Sequence, residues 1–123
     1  MSGAMRLNKL WQWQDGQHGT GYQVFTLAWV MNKILPFDSY IIRYPPGSSI
    51  PPHRDVLKNK KSKHFRLNLI LTHPEGGEFK TENAIIQTIW LNLFRPDLST
   101  HSVTTVTGNR TRYVWSIGWT WKW

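Results

Sequence analysis

Apolar and polar residues alternate along much of the chain with a period of two, the pattern of strands with two unlike faces. Two stretches show it best. In Phe65–Leu71 the odd positions are Phe65, Leu67, Leu69 and Leu71, while the even ones begin with Arg66 and Asn68. In Arg112–Trp123 the odd positions are Tyr113, Trp115, Ile117, Trp119, Trp121 and Trp123; the even ones are Arg112, Val114, Ser116, Gly118, Thr120 and Lys122. Each stretch has one apolar face and one small or polar face with an arginine near its beginning. Further strands are predicted at Tyr22–Trp29, Ser39–Tyr44, Ile50–Asp55, Glu78–Thr81, Thr88–Phe94 and Ser102–Val106. Turn signals separate them at Asp15–Gly19, Pro45-Pro46-Gly47, Pro96-Asp97 and Gly108-Asn109. Glu75-Gly76-Gly77 predicts a hairpin that folds the Phe65–Thr72 strand back on Glu78–Thr81. Leu7–Trp13 is too short to classify, and Leu27–Leu35 admits a turn of helix. Proline cannot donate to a strand ladder, so Pro51 and Pro52 predict an edge position. Some eight short strands and no convincing long helix predict an all-β fold with few or short helices, a sandwich or jelly roll.

The alternating strands admit two arrangements. Their polar faces meet water, as in most antiparallel sheets, or they line a cavity between two sheets with the apolar faces packed outward. The small side chains of Val114 and Ser116, with Gly118, suit a face that leaves room for a ligand. Two arginines on such faces would grip a carboxylate, because the planar guanidinium matches it in a bidentate pair.

Composition narrows the rest. The chain has 123 residues, 40% of them hydrophobic, with eight tryptophans, which predicts one packed domain over 1–123. Met1–Met5 is set aside as a leader outside the fold. No apolar run reaches membrane-spanning length and no secretory leader is evident, so a cytoplasmic protein is expected, with no membrane partner. With no cysteine, any metal is held by histidine and carboxylate. The net charge is +8, and Lys58, Lys60, Lys61 and Lys63 crowd one run. That run reads as a solvated loop or as the rim of a site attracting an anionic substrate, which keeps nucleic acid open as a partner. Apolar strand faces such as Trp119, Trp121 and Trp123 fit either a monomer or a homodimer that covers them.

The candidate chemistry centres on Arg43–Asp55 (RYPPGSSIPPHRD). On an extended segment His53 and Asp55 point to the same side, and His101 is the candidate third ligand. Two histidines and one carboxylate form the facial triad of non-haem Fe(II) oxygenases, leaving three positions open. A rival set of His53, His64 and His73 would leave Asp55 and His101 without a role. Otherwise His18 reads as a solvated loop residue, His64 as part of the basic surface, and His73 as a turn residue.

These pieces, in order, resemble the 2-oxoglutarate- and Fe(II)-dependent oxygenase superfamily: Tyr44-Pro-Pro-Gly, His53-x-Asp55, Arg66-Leu-Asn68, Gly76-Gly77-Glu78-Phe79, His101-x-Val103 and Gly108-Asn-Arg110-Thr-Arg112. The resemblance runs from about Phe37 to Trp119. It implies a double-stranded β-helix (a jelly roll) with His53, Asp55 and His101 as iron ligands. It also implies 2-oxoglutarate as co-substrate, O2 as oxidant, and hydroxylation of a C–H bond on a protein side chain, small molecule or nucleic acid, with succinate and CO2 as co-products. Arg110 and Arg112 both fall where the family places the arginine for the distal carboxylate, and Arg112 is favoured because it opens the long strand. Tyr44 matches a co-substrate tyrosine of prolyl-hydroxylase-like members. Arg66 and Asn68 match co-substrate positions of aspartyl/asparaginyl-hydroxylase-like members, and Ser116, on the Arg112 face, joins this set. Those members often lack the carboxylate ligand, whereas Asp55 is present. The alternative function is a non-enzymatic, basic, Trp-rich β-sandwich that binds nucleic acid or carbohydrate.

Overall fold

The computed structural model describes residues 10–30, 36–55 and 62–122. They form ten strands: β1 (Trp13–Asp15), β2 (Gln23–Val30), β3 (Phe37–Tyr44), β4 (Ile50–His53), β5 (Ser62–Ile70), β6 (Phe79–Thr81), β7 (Ala84–Gln87), β8 (Leu91–Phe94), β9 (His101–Val103) and β10 (Arg112–Lys122). There is no helix among the described residues, and none is long and apolar enough to cross a membrane. The strands form a seven-stranded sheet in the order β1-β2-β3-β10-β5-β8-β7 and a three-stranded sheet in the order β4-β9-β6. The predicted jelly roll is the fold observed. The Lys58–Lys61 part of the basic run, the possible helical turn after Val30 and the side chain of Trp123 lie outside the described residues.

Sequence parity decides which face is inside. On β3 the even residues Asp38, Tyr40, Ile42 and Tyr44 are buried, and on β10 so are Arg112, Val114 and Ser116. Antiparallel pairing sets Arg112 opposite Tyr44 and Ser116 opposite both Tyr40 and Asn68, so these side chains share one face. On β5 and β10 the small, polar faces therefore point inward and the aromatic faces outward, while β3 turns Tyr40 and Tyr44 inward against them. Trp115 is half-exposed on that outer side, where its indole Nε1–H donates to Ser39 Oγ at 2.8 Å. Phe65 stacks on Trp119 with ring centroids 5.7 Å apart.

Tyr22, Val24, Tyr40, Ile42, Tyr44, Val103, Val106 and Val114 form the core, with Ile50 and Phe79 packed against it. Full burial of an aliphatic side chain such as Val24 contributes about 1.5–3 kcal/mol relative to exposure, and Val24, Val106 and Val114 reach that limit.

Two local expectations are revised. Glu75-Gly76-Gly77 is a turn, with φ of 70° and 63° at the glycines, yet it makes no hairpin with β5. It carries the chain from one sheet to the other, and β6 pairs with β9. The Thr88–Phe94 segment divides into a turn and β8, preceded by β7, an additional edge strand on the large sheet. The expectation for Pro51 and Pro52 holds: β4 pairs with β9 alone and forms an edge.

Candidate metal centre and carboxylate pocket

β4 ends at His53, opposite His101 at the start of β9. Asp55 follows, tied down by its backbone N–H donating to Pro96 O at 2.7 Å. Strand pairing thus joins one histidine to the other, and the short turn from β4 brings in the carboxylate. His53 Nε2 lies 3.6 Å from Asp55 Oδ1, and His101 Nε2 lies 3.8 Å from Asp55 Oδ2. The ligating atoms of His53, Asp55 and His101 lie within 4.8 Å of one another, the one such cluster among the described residues.

The tautomers are set by the backbone. His53 Nδ1 lies 2.8 Å from Pro51 O and His101 Nδ1 2.9 Å from Ser99 O. A carbonyl only accepts, so each Nδ1 donates its proton there, which leaves each Nε2, the nitrogen facing Asp55, as the one able to ligate a metal. Such second contacts orient metal-ligating histidines. Burial, followed by smaller contributions including the neighbouring His53, lowers the His101 pKa below its ordinary 6.5 and favours the neutral ligand form. A cysteine-free cluster with one carboxylate and two imidazoles fits a divalent transition metal such as Fe(II). His73, part of the rival set, is exposed and bonds Ile89 O at 2.6 Å, outside the cluster.

His18 and His64 correct the sequence reading. His18 is half-buried in its loop, its ring 4.4 Å from that of His53, which in turn is 4.3 Å from His101. Three imidazoles therefore lie in a row. His64 is 7% exposed, on the inner face of β5 with Arg66, and burial, then the Arg66 charge, lowers its pKa to about 3. Its parity with Arg66 was the available signal; the adjoining lysines pointed the other way.

A pH dependence follows. Above pH 6.5 His64 is neutral folded and unfolded, and contributes no slope. Between 6.5 and 3 the unfolded chain takes up a proton that the folded chain refuses, so stability falls as pH falls, by about 1.4 kcal/mol per pH unit. Urea midpoints at pH 6.5 and 5.0 should show His64→Leu losing about 2 kcal/mol less than the parent over that interval. Parallel losses in both proteins would mean that His64 is protonated in the fold.

Arg66 and Arg112 differ. Arg66 Nη2 donates to both carboxylate oxygens of Asp38 at 2.8 and 3.1 Å, and Nη1 to Ser116 Oγ at 2.7 Å; Ser116 in turn donates to Asn68 Oδ1 at 2.6 Å. The guanidinium covers the Tyr40 ring at 4.8 Å. Burial opposes its charge, but Tyr40 and Asp38 more than offset this and hold the group protonated. Gly118 is required here, because a Cβ would lie 2.1 Å from Arg66 Nη2. Arg66, Asn68 and Ser116 are therefore brought together, but around a carboxylate of the chain itself.

Arg112 is 5% exposed and has no carboxylate partner among the described residues. Its guanidinium carbon lies 5.0 Å from the centroid of Tyr44, whose hydroxyl it also hydrogen-bonds. Burial lowers the pKa of Arg112, since its charge is only partly compensated. Burial also pushes the Tyr44 phenol up to about 12. Arg110 is exposed in the preceding turn. Of the two arginines, the interior one is Arg112.

No protein-family model matches this chain, and no curated protein sequence does. Solved structures share its fold. A Pseudomonas putida prolyl-4-hydroxylase superposes with a TM-score of 0.61 at 15% identity, over 83% of this chain and 72% of that one. The viral collagen prolyl hydroxylase from Paramecium Bursaria Chlorella virus-1, in its 2OG complex, gives 0.57 at 16% identity, over 84% and 82%. The Cnp3 cupin domain of Schizosaccharomyces pombe gives 0.58 at 11% identity, over 87% and 66%. The fold is thus the jelly roll common to 2OG hydroxylases and cupins.

Proposed function

We propose that this protein is an Fe(II)- and 2-oxoglutarate-dependent dioxygenase that hydroxylates a substrate C–H bond. The observation that carries this reading is the convergence of ligating atoms of His53, His101 and Asp55 within 4.8 Å, where the end of β4 meets the start of β9. His53, Asp55 and His101 would hold the metal. Fe(II), with 2-oxoglutarate and O2, supplies the oxidising chemistry, with succinate and CO2 as co-products. Arg112 would take the distal carboxylate of 2-oxoglutarate, an anion that supplies its missing counter-charge. Tyr44 fixes the guanidinium and adds a hydroxyl. The Asp38–Arg66–Ser116–Asn68 network lies on the same inner face as a rigid floor rather than as the anchor. The same fold in prolyl hydroxylases supports the reading, and the cupin likeness keeps a non-enzymatic jelly roll as its competitor.

The test is succinate formation from 2-oxoglutarate by purified protein with Fe(II) and ascorbate. Arg112→Ala should raise the apparent Kd for 2-oxoglutarate by about 30-fold or more, as expected for a lost charge-assisted pair of roughly 2–3 kcal/mol. Arg110→Ala should change it less than about twofold. The reverse order would transfer the anchor to Arg110, and absence of both binding and turnover would leave the cupin reading.

A further inference from the structure

A cavity of about 410 Å³ opens on the side of the fold, and Arg112 lines it. Its wall includes Ile70, Gly77, Phe79, Gln87, Asn92 and Arg112. Exposure grades from mouth to floor: Glu75, Glu78, Gln87 and Thr88 are exposed, whereas Ile70, Gly77, Asn92 and Arg112 are buried. None of the three metal-site residues lines it.

The opening follows from strand pairing. β6 pairs only with β9 and is an edge of the small sheet; β7 pairs only with β8 and is an edge of the large one. The two edges are not joined, and the cavity lies between the residues around them. Gly77 lets its turn lie directly against Arg112, since a Cβ there would come within 2.9 Å of both Arg112 Cδ and Val106 Cγ2. Asn92, 3% exposed, leaves its Oδ1 without a hydrogen-bond partner. Such an acceptor is costly in a dry interior and takes its hydrogen bond from water, since an ionised carboxylate brings no donor. Phe79 lines this space and its ring lies 6.4 Å from that of His101, so the cavity adjoins the metal centre.

We propose that this cavity is the port through which a small dicarboxylate reaches Arg112, separately from the side on which the metal faces its substrate. The inference rests on the assignment of Arg112 as the 2-oxoglutarate anchor. A carboxylate entering between β6 and β7 passes the Glu75 and Glu78 carboxylates, then meets the Arg112 guanidinium. The two acidic side chains at the mouth repel an incoming dianion and slow its entry, an effect that salt removes.

Stopped-flow fluorescence of the Fe(II)-loaded chain, held anaerobic and mixed with 2-oxoglutarate, tests this. The double variant Glu75→Gln, Glu78→Gln should raise the association rate constant by about two- to fivefold at low ionic strength and leave it unchanged at high salt. Gln87 lines the mouth on the same strand face as Asn92, opposite which it pairs. Gln87→Phe should narrow the mouth and lower the rate constant by about tenfold, with Fe(II) affinity unaffected. If the parent binds 2-oxoglutarate and neither variant alters the rate, the ligand arrives from the metal side and the port is wrong. If the parent binds no 2-oxoglutarate, the anchor assignment itself fails.

Discussion

Asp55→Ala is expected to abolish Fe(II) binding and succinate formation while leaving the fold intact. The carboxylate is half-exposed beside two imidazoles whose Nε2 atoms lie 3.6 and 3.8 Å from it, so its removal exposes no core. Loss of a group that merely orients a ligand costs about 10–100-fold in metal affinity, and loss of a ligand should exceed that range. Anaerobic calorimetric titration with Fe(II) measures the first effect, and an unchanged thermal midpoint of the metal-free protein controls for folding. His101→Ala should show the same loss of metal, with some loss of stability because His101 is buried against Phe94. Retention of Fe(II) binding by Asp55→Ala would remove the facial triad from consideration and favour a histidine-only site.

The largest expected loss of stability comes from Asp38→Ala. It leaves Arg66, 6% exposed, as a buried cation whose remaining contacts are neutral. Breaking one partner of a buried ion pair costs about 3–5 kcal/mol, a large share of the 5–15 kcal/mol typical of a domain. Replacing both partners with apolar residues, Asp38→Leu with Arg66→Met, should recover much of that loss, because no charge is then stranded. Denaturant unfolding of the three variants gives the comparison directly. A single Asp38→Ala variant as stable as the parent would mean that Arg66 finds water or another acceptor.

Several of these features were legible in the sequence for identifiable physical reasons. His53 and Asp55 are neighbours on an extended segment, so a local rule places them together. Arg112 was separable from Arg110 because it begins an eleven-residue alternating strand, and strand parity carries its direction inward. The small, polar even face of β10 allowed the same inference for the interior, although the space over Gly118 is filled by the Arg66 guanidinium and not left for a ligand. What failed was long-range. His18 reaches His53 from a loop with no periodicity, and the partner of Arg66 is 28 residues away on β3, where only the parity of Asp38 with Tyr44 hinted at its direction. The pairing of β6 with β9 rather than β5 was hidden too. A glycine turn reports that the chain reverses, not which sheet receives the next strand.

The two prolines ahead of His53 have a consequence for how the site assembles. Each ring fixes one backbone torsion near −65° even in the unfolded chain, so the segment that delivers His53 and Asp55 has few conformations to lose. Pro51 also offers its carbonyl to the imidazole two residues on. Much of the ordering of the first histidine is thus imposed covalently before any metal arrives. The same pair strips two N–H donors from an outer strand, so the edge nearest the reactive centre is a poor template for a foreign strand.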